Sequence, residues 1–341
     1  MRRWGLVRGA GAASYLWIFA LSGIATVLAT RFFLAQAGYP KLGGGGSGRL
    51  HIAHMLWGGL LMMAGLVLLL ALLGRTVRLG GAVVGGVGFG LFIDEVGKQV
   101  TDEPGYFYQP AAGIIYLAFA LLLVLAHRTR RAPHVLAPEQ RTAQAADLLL
   151  SGVTDGLTPG QRATVLRLVD GSDRDLDAAL VRLLRAVPER AEPEPSALRR
   201  LLSRALGSLR RLAVNRFVLA LAVLWLMLEV FVYALALTID VTDGELARDP
   251  QWGAVIGVMI SATASAVFGL RGLARLRRDK VAGLRLLRRA LLVDVLFGQI
   301  FKFTVNQFAA VTELAFDLVL LWVISAALAQ RDPEPVAPSA T

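Results

Sequence analysis

Apolar residues run through this chain in long blocks, with the polar residues gathered between them. A helix needs about 20 apolar residues to cross a hydrocarbon layer of about 30 Å. Eight blocks approach or exceed that length: Ala12–Ala35, His51–Leu73, Leu79–Val100, Pro110–Ala126, Val214–Ile239, Trp252–Leu273, Ala290–Thr304 and Gln307–Ala329. The seventh is short, which predicts a tilted helix or a tight hairpin with the eighth. The first has a charged start and the triplet Ala35-Gln36-Ala37, the form of a signal peptide. Its length and the interruption at Arg31 favour a retained span.

The polar stretch His127–Arg211 between the fourth and fifth blocks predicts a small helical domain. Thr158-Pro159 is an N-cap followed by proline at the first helical position. Ser172 with Asp175 reads as a capping box. Leu176, Leu180, Leu183 and Leu184 form an apolar stripe at helical spacing. Glu189–Pro195 reads as a linker, and the basic helix Ser196–Leu212 as one lying on a membrane surface. The predicted fold is an all-α polytopic transmembrane bundle. Residues 1–126 carry spans one to four, 127–212 a cytoplasmic helical insert and linker, 213–330 spans five to eight, and 331–341 a disordered cytoplasmic tail.

Composition agrees. The chain of 341 residues is 55% hydrophobic and 18% charged, with a mean hydropathy of +0.58. Soluble domains carry about 25% charged residues, so a soluble enzyme, a coiled coil and a disordered chain are excluded. The formal charge of +11 would suit nucleic acid, but its placement does not. Of the 36 Lys and Arg, three fall in loops of one side (Lys41, Arg49, Arg248) and three in or beside spans (Arg31, Lys98, Lys302). All the others fall in segments of the opposite side, which the charge bias of membrane loops assigns to the cytoplasm. The expected topology has both termini inside, with the basic run Arg271–Arg289 facing anionic lipid headgroups. The Arg-over-Lys, Ala/Leu/Gly-rich composition points to a GC-rich bacterium and hence to its cytoplasmic membrane. The chain has no cysteine, which removes disulfides, thiolate metal sites and cysteine nucleophiles.

Ionisable residues inside spans are expensive and mark function by default. Asp94, Glu95, Lys98, Glu229, Lys302, Gln307 and Glu313 all fall at similar outer depth, as does Arg31, and predict an outward-leaning polar cavity. Asp294 and Asp317 lie deeper. Asp94 and Lys98 are four apart and share a helix face. Glu313 and Asp317 have the same spacing, so one is expected to be protonated or to have a cation nearby. The run Gly80-Gly81, Gly85-Gly86, Gly88 and Gly90 puts small residues at four-residue intervals on the third span, where a neighbouring helix can come close. His51, His54, Asp94 and Glu95 are a legitimate ligand set for zinc, iron or manganese. The alternative is an ion network in which Asp94 and Glu95 satisfy Lys98 or Arg31. The His pair lacks the glutamate of an H-E-x-x-H protease, and Gly43–Gly48 matches the dinucleotide-binding G-x-G-x-x-G pattern only formally, with no strand before it in a βαβ unit. Asp102–Pro110 is aromatic and reads as an interface belt. Leu91-Phe92, Lys98, Gln109 and Ala111-Ala112 recur in order as Leu296-Phe297, Lys302, Gln307 and Ala309-Ala310, which is open to two four-helix halves or to chance in Ala/Leu-rich sequence.

The fragments RLHIAHMLWGGLL (Arg49–Leu61) and GGVGFGLFIDEVGKQVT (Gly85–Thr101) resemble uncharacterised prokaryotic polytopic membrane proteins, in which a His-rich span start precedes a Gly-rich span ending in Asp-Glu. The resemblance covers about the first 125 residues and implies the fold without an activity. Three functions are open on sequence. The first is transport of a small solute coupled to ions or protons. The second is a membrane-embedded metal-dependent enzyme acting on a lipid or envelope precursor. The third is a sensor or scaffold with a protein partner at the insert.

Overall fold

A computed structural model describes residues 7–36, 54–99, 110–129, 136–192, 252–306 and 310–331, together with 224–225, 227–228, 231–232, 235 and 238–239. Among the described residues the fold is all-helical, apart from one isolated bridge between Leu157 and Glu189. Among the described residues, five helices contain stretches long and apolar enough to cross a membrane: Ala12–Phe33, Arg75–Glu95, Ala111–Thr129, Trp252–Leu276 and Ala310–Leu328. Met55–Ala71 is apolar but shorter. The chain divides into two compact units, and the division falls inside the fourth helix.

The first unit holds α1 (Ala12–Gln36), α2 (His54–Ala71), α3 (Arg75–Gln99), α4 (Pro110–Thr129) from Ala118 onward, and the helices of the insert. Glycines place α3 between two neighbours. A Cβ on Gly88 would stand 2.6 Å from the carbonyl oxygen of Gly58 in α2, and one on Gly90 would stand 2.5 Å from that of Gly23 in α1. Only residues without a side chain let backbones come this close. In lipid, where burial of apolar surface drives little association, such packing is what holds helices together. Phe89 extends the contact, with its ring 5.6 Å from Phe19 and edge-to-face against Phe119.

The insert forms a three-helix bundle of α5 (Pro138–Asp155), α6 (Pro159–Val169) and α7 (Asp175–Ala186) around Leu149, Leu157, Val165, Leu168, Leu180 and Leu184. Each fully buried leucine contributes about 1.5–3 kcal/mol relative to exposure. Thr158 caps α6 in a full capping box with Gln161. Three expectations for the insert are corrected. Ser172 does not form a capping box with Asp175: α7 begins after Arg174, and the Ser172 hydroxyl donates to Asp177 at 2.5 Å. The inward face of α7 runs through Asp177, Leu180 and Leu184, leaving Leu176 and Leu183 exposed. The linker begins later than Glu189, because Leu157 N–H donates to Pro188 O and Arg190 N–H to Leu157 O, strapping this segment across the bundle.

Buried Asp177 is held below the ordinary carboxylate value of 3.8. Burial acts to raise it, but hydrogen bonds from Ser172 and Thr142 and the guanidinium groups of Arg174 and Arg141 together outweigh that.

The second unit holds residues 107–117 and the chain beyond Pro195. Its described helices include α8 (Trp252–Leu276), α9 (Lys280–Val293), α10 (Gln299–Asn306) and α11 (Ala310–Arg331). Asp279 caps α9 by accepting from Val281 N–H and Ala282 N–H at 3.0 Å. Leu284, Leu287 and Leu291 of α9 pack with Ile324 and Leu328 of α11, while Arg285, Arg288 and Arg289 stay exposed. The seventh predicted span is corrected in length. Between α9 and α10 lies a single π-turn, Asp294–Gly298, so Lys280–Asn306 is one continuous helix of about 40 Å. Its basic first half concealed that length from an apolar-run reading.

Candidate functional site

In the π-turn, the Gln299 N–H reaches back five residues to the Asp294 carbonyl. Turns of this kind insert one extra residue into a helix and recur at functional sites. The effect here is on register. Asp294 and Lys302 are eight positions apart, which in a regular α-helix would turn their side chains about 80° apart. With one residue absorbed, the spacing acts as seven and the offset falls to about 20°. Helical side chains also lean toward the N-terminus, so Lys302 points back at Asp294. The Lys302 ammonium donates to Asp294 Oδ2 at 3.0 Å, with both residues buried.

Two further carboxylates come from α11. Glu313 Oε2 lies 3.8 Å from the same ammonium, and Gln299 Nε2 donates to Asp317 Oδ2 at 2.7 Å. That amide also stands 3.5 Å from Asp294 Oδ2. Gln299 Oε1 is buried with no hydrogen-bond partner among the described residues. Asp294, Gln299, Lys302 and Asp317 are almost fully enclosed, whereas the Glu313 side chain is 30% exposed. Glu313 is thus the member of the group that meets the outside.

The surrounding helices fix this group. On α8, Ser261 donates to Val258 O at 2.8 Å, and Ser265 donates to Ala290 O of α9 at 3.0 Å. A Cβ at Gly298 would stand 2.5 Å from Asp294 Oδ1 and 3.0 Å from Ser261 Oγ, so glycine is what lets the carboxylate lie against its own helix. The Tyr116 hydroxyl donates to the Val295 carbonyl of the π-turn, and its ring stacks on Phe303 at 4.9 Å. Among the described residues, three carboxylates share one ammonium and one amide. An isolated buried charge costs several kcal/mol, so the charge state of such a group is tied to whatever cation it holds.

The first unit has a separate buried pair. Arg31 Nε donates to Asp94 Oδ1 at 2.6 Å, and Arg31 Nη2 donates to the Asp94 carbonyl oxygen at 3.3 Å. Asp94 and the adjacent Glu95 are both buried. Of the residues expected to line one cavity, Lys302 and Glu313 come together in the second unit, and Asp94 and Glu95 lie in the first. His51, Glu229 and Gln307 lie outside the described residues, as do the side chains of Lys98 and His54. Among the described residues, no group of three or more His, Cys, Asp or Glu is arranged to hold a metal ion. The proposed ligands His51 and His54 are not among the side chains that statement covers.

Asp294 and Asp317 were visible in the sequence but read as lying too deep for the cavity. Gln299 and Tyr116 carried no signal, being neutral residues in apolar runs. Together the helices define an all-helical, multi-pass membrane protein with buried ionic groups inside its helix packing. Comparison with known proteins found no matching family, no curated relative and no similar solved structure.

Proposed function

We propose that the protein transports a small solute, driven by a proton or small cation that the Asp294–Gln299–Lys302–Glu313–Asp317 group takes up and releases. The observation that carries this reading is the sharing of Lys302 between buried Asp294 and half-exposed Glu313. A cation arriving at Glu313 neutralises it and weakens its hold on the ammonium that Asp294 shares. Its departure restores the shared arrangement. The buried carbonyl Gln299 Oε1 supplies a neutral oxygen among the carboxylates, the hard donor chemistry that protons and alkali or alkaline-earth cations take.

The full reading has eight spans with both termini inside a bacterial cytoplasmic membrane, supported by the one-sided placement of Lys and Arg. Partly exposed Glu313 is the point of entry to the coupling group, and Arg271–Arg289 contacts anionic headgroups. The Leu-Phe…Lys…Gln repeat, which sets Lys98 against Lys302, supports a division into two four-helix halves.

The test is reconstitution in liposomes with an entrapped pH-reporting dye. Under an imposed pH gradient, wild-type protein is expected to speed proton movement when sodium or potassium is added, and Asp317→Asn to abolish that effect. Proton movement equal to that of protein-free liposomes with both cations, at every gradient imposed, would refute the reading.

A further inference from the structure

A cavity of about 280 Å³ opens in the first unit where α1, α3 and α5 converge. Asp147 of α5 builds it. Its Oδ2 accepts the Ala10 N–H at 2.7 Å and Arg78 Nη1 at 2.8 Å, fastening the insert to the start of α1 and to α3. Arg78 Nε and Nη2 make no hydrogen bond among the described residues, and exposed Arg75 makes no ion pair there. Two guanidinium groups against one carboxylate leave the cavity with a surplus positive charge. Ser14 and Tyr15 add hydroxyl groups to its wall.

The backbone adds to this charge. Arg78 N–H bonds to Gly74 O, so the first-turn amides of α3 ahead of it have no partner in their own helix. They end a helix of 25 residues and carry its positive dipole end. Gly74 turns the chain there with φ of 113°, and a Cβ on it would meet nothing within 4 Å. The space before the helix start is therefore open. Arg75 also begins the apolar stretch of α3, so the cavity lies at the edge of the span, with Leu79 supplying an apolar wall.

We propose that this cavity binds a phosphoryl-bearing anion, gripped by Arg75 and the free edge of Arg78. Guanidinium forks match phosphate oxygens in paired, charge-assisted hydrogen bonds. The volume suits a phosphate with a short attached group, either the headgroup of a membrane phospholipid or a soluble phosphate ester. The binding does not depend on the transport reading. Because Asp147 and the anion address the same Arg78, occupancy changes how firmly the insert is held to α1 and α3.

The experiment uses full-length protein in a non-ionic detergent. Binding of three probes is measured by calorimetry: dihexanoyl-phosphatidylglycerol, inorganic phosphate, and dihexanoyl-phosphatidylcholine as a zwitterionic control. Arg75 is exposed, so Arg75→Gln keeps the fold. Saturable binding of the anionic lipid, weakened at least tenfold by Arg75→Gln and unchanged by Arg278→Gln, supports the site and assigns it to a headgroup. The same pattern with phosphate and not with the lipid supports the site and assigns it to a soluble ester. Equal losses in Arg75→Gln and Arg278→Gln would mean diffuse attraction to basic loops and overturn the proposal. So would equal affinity for the zwitterion, or no saturable binding of either anion.

Discussion

Replacing Lys302 by methionine keeps the length and apolar stem of the side chain while removing its charge. The consequence follows from burial. Asp294 is only 3% exposed and receives the ammonium at 3.0 Å, so in Lys302→Met its carboxylate keeps, among the described residues, the long contact from Gln299 at 3.5 Å. Breaking a buried pair from one side costs about 3–5 kcal/mol, because the remaining charge is stranded in a low dielectric. Asp294→Asn strands the ammonium instead, although Glu313 at 3.8 Å offsets part of the loss. The double change removes both charges. It is expected to cost at least about 2 kcal/mol less than the sum of the single changes, within the range of couplings measured for residues in contact. The assay is a double-mutant cycle on purified protein in detergent, read by thermal inactivation and by chemical unfolding. Additivity within about 0.5 kcal/mol would show that the two groups do not interact and would remove Lys302 from the site.

Two further expectations concern geometry and pH. Gly298→Ala drives a methyl group to 2.5 Å from Asp294 Oδ1. It should stop cation-dependent proton movement in liposomes while the protein still purifies as a single species, and wild-type flux in this variant would contradict the role given to the π-turn. Asp177 has a carboxyl held low in the folded insert. Its stabilisation is therefore complete above the ordinary value of 3.8 and is lost as pH falls through the folded value. Hydrogen exchange of the α7 amides, expressed relative to the intrinsic rate at each pH, should rise on acidification in wild type. In Asp177→Asn it should be faster at neutral pH and less responsive to acid, and an unchanged acid response would exclude Asp177 as the cause.

The apolar blocks made the membrane helices legible, since length and composition alone distinguish a span from a soluble helix. Local spacing was a weaker guide wherever an unusual backbone or a distant partner decided the outcome. Leu176 and Leu183 completed an attractive stripe on α7, yet buried Asp177 with its partners Ser172 and Thr142 turned the helix so that both leucines face outward. Asp294 and Lys302 fall on different faces of any regular helix, and only the π-turn aligns them. Asp94 has a lysine four residues away, but its described ion pair is to Arg31, 63 residues distant in sequence. Such a pairing leaves no periodic trace in a single chain. Gln299 was silent for a different reason: a neutral amide in an apolar run has no charge to draw attention, though burial makes its hydrogen bonds as consequential as an ion's.

The glycine-lined packing of α3 bears on how this sequence can drift. Gly81 and Gly88 are pressed by α2, and Gly86 and Gly90 by α1, so two sides of one helix tolerate almost no added atom. At Gly88 and Gly90 neither neighbour can relieve the contact by trimming a side chain, because the atoms pressed there are the backbone oxygens of Gly58 and Gly23. Variation along Gly81–Gly90 is thus confined to the remaining side, where Val83 is exposed and one aliphatic residue can replace another. A population of related sequences would keep α3 almost fixed at intervals of a helical turn while α2's outward leucines exchanged freely. The rate of change along the helix would trace its rotational setting without any coordinates.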